Sequence, residues 1–305
     1  MEISLDQVAQ LSPDMARVLI PQWLDSFVEA PVAAKARMVD EVGSLLSEAT
    51  VEEVAGALHH LVEIGSEYTL YQANPLARAV SRAYMTALME GSTLEGLEHL
   101  RSAMEAGPCL LLSNHLAYCD TQIKDLLLHW AGAGDISEAI VAVAGPKVYG
   151  TVFRRMASSG LSTIKTAQST AVSHNEAALS PREVGRIAIE TVRRAGGLML
   201  SGHPVLIYAE GSRSRDGRLQ PFLRAVRKYA SFPGLRVVPM AVSGSNLMMP
   251  LHQTQMFARP VCLRIGSAVE VDPMDRVGAV EETWARIGRL LPDENQPLAD
   301  TLPTV

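Results

Sequence analysis

From residue 92 onward short apolar runs alternate with helix-like stretches, and this alternation limits the fold more than any other feature of the chain. The runs are Cys109-Leu110-Leu111-Leu112, residues 139–144, 161–164, 205–209 and 237–242. They are too short for helices and too apolar for exposed loops, so they read as buried strands joined by helical crossovers. The expectation over 91–305 is an α/β architecture, a mixed central sheet flanked by helices. Residues 261–271 add one or two strands and 281–291 a closing helix. Helix starts are marked at Ser92-Thr93-Leu94-Glu95, for a helix ending near Gly107, and at Ser180-Pro181-Arg182-Glu183, where cap, first-turn proline and capping glutamate coincide. A further helix is expected at 148–156, a polar loop at 167–179, and a helix after Ser180 that weakens and stops where Gly196, Gly197 and Gly202 fall.

Residues 1–90 differ. Start signals at Ser12-Pro13 and Thr50-Val51-Glu52-Glu53, with apolar spacing at Ala33, Met38, Val42, Leu45 and Leu46, predict a small helical bundle preceding the α/β region. His59 and His60 are adjacent, and adjacent helix positions point apart, so they do not form a metal pair. Trp23, Leu24 and Phe27 are expected in the core rather than in a lipid surface. The net charge of −6 excludes an overall basic footprint for nucleic acid, so an anion site must be local. Three cysteines, Cys109, Cys119 and Cys262, lack metal spacing and suggest a reducing compartment. The first residues do not resemble a secretory signal, and no stretch is long enough to span a membrane. The expectation is a cytoplasmic chain, soluble or held peripherally at the inner face of the membrane.

The chemistry-bearing residues fall at the ends of the predicted strands, where open α/β sheets bind ligands. After the first strand comes Asn114-His115-Leu116-Ala117-Tyr118-Cys119-Asp120. A His and an Asp five positions apart cannot share a helix face, yet they meet if the chain bends between them. His115 would then be a general base, oriented by Asp120, for a hydroxyl supplied by the substrate. Lys165 closes the 161–164 strand, and Glu210-Gly211-Ser212-Arg213-Ser214-Arg215 follows the 205–209 run. Arginines suit bidentate phosphate recognition and a lysine adds a point charge. A base beside such cations implies a substrate with both a hydroxyl and a phosphate.

Taken together, Asn114-His115-x4-Asp120, the 160–165 segment, Glu210-Gly211-Ser212-Arg213-Ser214 and Val238-Pro239 resemble the four ordered blocks of the glycerol-phosphate and lysophosphatidate acyltransferases. The helical front is similar in architecture to the soluble plastid-type glycerol-3-phosphate acyltransferases. The resemblance implies transfer of a fatty acyl group from coenzyme A or acyl carrier protein to glycerol 3-phosphate in phospholipid biosynthesis, with lysophosphatidate as the alternative acceptor. It implies no cofactor beyond the thioester co-substrate, and no metal. His115 and Asp120 would be catalytic; Lys165, Glu210, Gly211, Ser212, Arg213 and Arg215 would bind the acceptor.

The second block has a rival register, Gly150-Thr151-Val152-Phe153-Arg154-Arg155, set aside because Phe153 falls within a predicted helix. Cys119 beside Asp120 raises the alternative of an acyl-thioester enzyme. A non-catalytic module is the rival from another class, holding acidic lipids or a carrier protein through Arg213, Arg215, Arg224, Arg227 and Lys228; Arg182, Arg186, Arg193 and Arg194 offer a second basic face.

Overall fold

The computed structural model describes residues 3–168 and 179–303, so most of the loop expected at 167–179 lies outside the described residues. The front region contains α1 (Leu5–Ala9), α2 (Pro13–Asp25), β1 (Val28–Glu29), α3 (Val32–Glu48), α4 (Val51–Glu63), β2 (Leu70–Tyr71) and α5 (Pro75–Thr86). The Ser12 cap, with Pro13 at the first helical position, and the Thr50 capping box form as their sequences predict. Next come β3 (Thr93–Glu95), α6 (Leu97–Ala106), β4 (Cys109–Ser113), α7 (Asp120–Trp130), α8 (Gly134–Ala139), β5 (Val141–Ala144), α9 (Val152–Ser159) and β6 (Ser162–Lys165). The chain continues through α10 (Pro181–Leu200), β7 (Val205–Tyr208), β8 (Arg236–Ser243), α11 (Ser245–Met248), β9 (Met256–Phe257), β10 (Cys262–Ile265), β11 (Val269–Glu270) and α12 (Arg276–Leu290).

The main sheet runs β2-β6-β5-β7-β4-β8-β10-β3, with β11 also on β8. Strands β6, β5, β7, β4 and β8 are mutually parallel, which needs a crossover connection between each strand and the next. The later strands β10 and β11 and the early β2 pair antiparallel, which makes the sheet mixed. β4 sits between β7 and β8, and both faces are covered: Cys109 and Leu111 belong to one apolar cluster, Leu110 and Leu112 to another. The first cluster also takes in Leu24 of α2, Met38 and Val42 of α3, and Val80, Ala83 and Tyr84 of α5. The helical front therefore packs directly on the face of the sheet that carries α7. Arg78 and Arg82 of α5 reach Asp125 of α7 at 3.7 and 2.8 Å, a buried ion cluster joining the two regions.

Two local expectations fail for physical reasons. Ser92-Thr93-Leu94-Glu95 does not cap a helix: residues 93–95 pair in parallel with Cys262-Leu263-Arg264, the Ser92 hydroxyl accepts from Val261 N–H, and α6 starts only after Gly96. Strand pairing has taken the groups that a cap would have used. Helix α10 likewise does not weaken at Gly196 or Gly197 but continues to Leu200, and it stops just before Gly202, as expected, where φ is +90°. A Cβ at Gly196 would lie 2.0 Å from the Phe232 ring, so this glycine admits a neighbour rather than ending a helix.

Candidate active site

The end of β4 is fixed before any catalytic group is considered. The Asn114 side chain donates to Val242 C=O and accepts from Val242 N–H, both at 2.8 Å, tying the turn after β4 to β8. The chain then bends back over the start of α7. Asp120 Oδ2 accepts from the N–H groups of Leu116 and Ala117 at 2.8 and 3.1 Å and lies 2.9 Å from His115 Nδ1. The five-residue spacing is bridged by this turn, with one carboxylate oxygen as its hub. Asp120 is fully buried and the His115 side chain is 16% exposed. Burial alone would push the Asp120 carboxyl up; the hydrogen bond and charge of His115, with Lys124 and the Ser245 hydroxyl behind, hold it below the usual carboxylate range. With Nδ1–H directed at this carboxylate, Nε2 is the nitrogen left to accept a proton.

The His115 ring stacks on Tyr208, at the end of β7, with centroids 4.2 Å apart and planes 25° from parallel. Beyond Tyr208 the chain turns through Glu210 and Gly211. Glu210 Oε1 accepts from His115 N–H at 2.8 Å and Oε2 from Gln220 N–H at 3.2 Å. Burial pushes its carboxyl up to about 8 against those two bonds. Gly211 has φ +72°, and a Cβ there would meet the Leu223 side chain at 2.2 Å, so the turn needs glycine twice over. Ser214 N–H donates to His115 C=O at 2.8 Å, closing the two loops on each other. Glu210 and Gly211 thus shape the loop that holds His115, while Ser212 and Arg215 are exposed beside it.

Arg213 leaves this loop to lie 3.8 Å from the Tyr118 ring centroid, and Arg154 of α9 lies 4.1 Å from the same centroid. One aromatic ring thus gathers two guanidinium groups. Among the described residues neither has a carboxylate partner. Tyr118, Cys119 and Arg154 also line an apolar cavity whose deeper wall includes Tyr84, Phe153 and Met256. The site therefore joins a positioned base, a pair of arginines and an apolar recess. No group of three or more His, Cys, Asp or Glu among the described residues is placed to hold a metal ion.

A family model described as Acyltransferase matches residues 91–243, which contain both loops and every residue of this constellation except Ser245 and parts of the cavity wall. The chain belongs to the acyltransferase family. A chloroplastic 1-acyl-sn-glycerol-3-phosphate acyltransferase of Brassica napus is 29% identical over 157 residues, 52% of this chain and 38% of that protein. One from Arabidopsis thaliana, also chloroplastic, is 28% identical over 52% of this chain and 37% of its own length. The matched stretch thus spans well under half of these relatives. The crystal structure of a 1-acyl-sn-glycerophosphate acyltransferase from Thermotoga maritima aligns at a TM-score of 0.48 and 14% identity, over 84% of this chain and 97% of that one. The family model reaches neither α1–α5 nor the elements from α11 to α12 of this acyltransferase.

The resemblance and the geometry agree on which residues cluster, with one difference. Lys165 is buried at the end of β6, where its ammonium donates to Gly65 C=O and faces the rings of Tyr68 and Tyr149 at 4.8 and 5.6 Å. The cation that stands with Arg213 is Arg154, from the rival register, delivered by α9 rather than by a strand end. Arg155, its neighbour, is buried and donates to the backbone of Tyr149 and Val62. The aromatic ring shared by the two arginines, Tyr118, carried no chemical signal in the sequence; its place inside the His115-to-Asp120 turn was the one available hint.

Cys119 caps the start of α7, buried, and burial together with the adjacent Asp120 pushes its thiol well above the ordinary range. A thiol held neutral is a poor nucleophile. Cys119→Ala is expected to retain turnover within about threefold, the loss coming from a small cavity; steady-state kinetics on the variant check it, and abolished turnover would restore the acyl-enzyme route.

Proposed function

We propose that this acyltransferase moves a fatty acyl group from a thioester, on coenzyme A or an acyl carrier protein, to the free hydroxyl of a 1-acylglycerol 3-phosphate. The observation that carries the reading is the His115/Asp120 pair set beside the Arg154–Tyr118–Arg213 stack. His115 Nε2 removes the hydroxyl proton as the oxygen attacks the thioester carbonyl, and Asp120 stabilises the imidazolium that forms. The proton then passes to the departing thiol, so no acyl-enzyme forms. The two guanidinium groups offer fork geometry to a phosphate and turn its binding into orientation of the hydroxyl. The cavity behind Tyr118 suits a hydrocarbon chain, being walled by Val80, Tyr84, Phe153 and Met249.

The acceptor is chosen on the relatives' names. Glycerol 3-phosphate is the second reading, favoured by the helical front packed against the sheet. A rate comparison crossing acyl-coenzyme A and acyl carrier protein with lysophosphatidate and glycerol 3-phosphate tests both. Faster turnover of glycerol 3-phosphate would replace the first acceptor by the second. No product with any combination would overturn acyl transfer and leave anion binding as the function. Among the described residues no helix is long and apolar enough to cross a membrane, and we place the reaction at the membrane surface through a lipid acceptor rather than within it.

A further inference from the structure

Lys124 of α7 is 1% exposed and carries an ammonium into the interior directly behind the base. It sits one helical turn after Asp120, on the same face, and its Nζ lies 3.4 Å from Asp120 C=O and 3.5 Å from the Tyr208 hydroxyl. The same hydroxyl meets Thr121 Oγ1 at 2.8 Å, and Nζ stands 4.9 Å from the Tyr208 ring centroid. Tyr208 in turn is the surface on which the His115 imidazole stacks. No carboxylate lies within 4 Å of this ammonium among the described residues, although an unpaired buried charge is costly. Packing alone would be served better by a methionine or leucine. Such a cost persists where the charge acts on something nearby.

We infer that Lys124 is a positioning residue for the base: through Tyr208 it fixes the plane of the His115 ring, and through Asp120 it balances the carboxylate so that the imidazole stays unprotonated until a substrate hydroxyl delivers its proton. The charge count supports this. With Lys124 charged, the buried group of Asp120, His115 and Lys124 is neutral while His115 is neutral and gains +1 only when His115 takes a proton. Without that cation the Asp120 charge stands alone and draws a proton to His115 from solvent. The other groups facing the set are Cys119 on α7, Tyr208 and Glu210 from β7 and its loop, Arg213 beyond them, and Ser245 from α11. Asp125, next in sequence, is turned away to Arg78 and Arg82. Burial draws the ammonium down to about 8 against the pull of Asp120, which leaves it charged across the range where an imidazole titrates.

The inference rests on His115 as the base, and it is tested first without turnover, by following the His115 ring signals by NMR against pH, assigned with His115→Asn. In Lys124→Met the midpoint is expected to rise by about one pH unit, a tenfold gain in proton affinity. The acid limb of kcat/KM is expected to move up by the same amount, with acceptor KM changed less than twofold. Lys124→Arg should bring both back toward the parent values. If the charge is merely tolerated, Lys124→Met leaves midpoint and acid limb in place, and the inference falls. Should the Met variant not fold, Glu210→Gln decides, since it removes the neighbouring carboxyl that titrates in the same range: its His115 signal shows a second inflection as Lys124 loses its proton, or a single inflection that overturns the coupling. A shifted midpoint in a protein that transfers no acyl group would sink the proposed reaction and leave the coupling standing; an active protein with an unmoved midpoint does the reverse.

Discussion

Replacing His115 with alanine is expected to lower kcat by about 10⁴-fold while the protein remains folded. General-base catalysis contributes on the order of 10²–10⁴, and here no second base stands at the same place. Tyr208 presents its ring face to the imidazole, Glu210 is engaged by two backbone N–H groups, and the Cys119 thiol is held neutral. The part-exposed His115 side chain can be removed without opening the core. Asp120→Asn should fall nearly as far, because a neutral amide neither selects the Nδ1–H tautomer nor stabilises the imidazolium. Asp120 Oδ2 also accepts two backbone N–H bonds, so this variant should unfold at lower temperature than His115→Ala does. Rates under single-turnover conditions, with thermal melts alongside, separate the two effects. More than a tenth of parent activity in His115→Ala would end the general-base assignment.

The second large effect is expected at the arginine stack. Arg213→Ala and Arg154→Ala should each raise the acceptor KM by about 10- to 100-fold, the range that a charge-assisted hydrogen bond worth about 1.5–3 kcal/mol implies. Effects on kcat should appear wherever phosphate binding orients the hydroxyl. The lysine replacements should recover only part of the loss, since an ammonium neither stacks flat on Tyr118 nor offers a fork. Lys165→Met provides the contrast. Its ammonium is occupied by Gly65 C=O and two tyrosine rings, so the variant should lose stability and keep its acceptor KM. An acceptor KM that rises with Lys165→Met and not with Arg154→Ala would return the second block to the Lys165 register.

Much of the scaffold was legible because burial on both faces writes itself as unbroken apolar runs. Residues 109–113, 205–208 and 236–243 became the three central parallel strands, and the groups at their ends came together as strand-end logic requires. The capping signals at Ser12, Thr50 and Ser180 were local, and local geometry satisfied them. What escaped was decided across the chain. Nothing in Thr93-Leu94-Glu95 distinguishes a helix start from an edge strand until residues 262–264 arrive alongside. Arg154 reads as one more helical arginine until it and Arg213 are seen over the same Tyr118 ring. Lys124 and Tyr208 carry ordinary letters in ordinary patterns, and only the fold puts an ammonium behind an imidazole.

The ion cluster between α5 and α7 bears on how this protein can be dissected. A fragment beginning at residue 91, where the family match begins, would delete Arg78 and Arg82 and leave Asp125 with the Ser137 hydroxyl and, among the described residues, no cation on the flank of α7. It would also strip Val80 and Tyr84 from the cavity wall, and Asp125 itself stands five residues downstream of Asp120, the carboxylate that orients the base. The helix that begins with Asp120 is anchored at its middle by the preceding region, so a fragment cut to the stretch that identifies the family is expected to melt below the full chain.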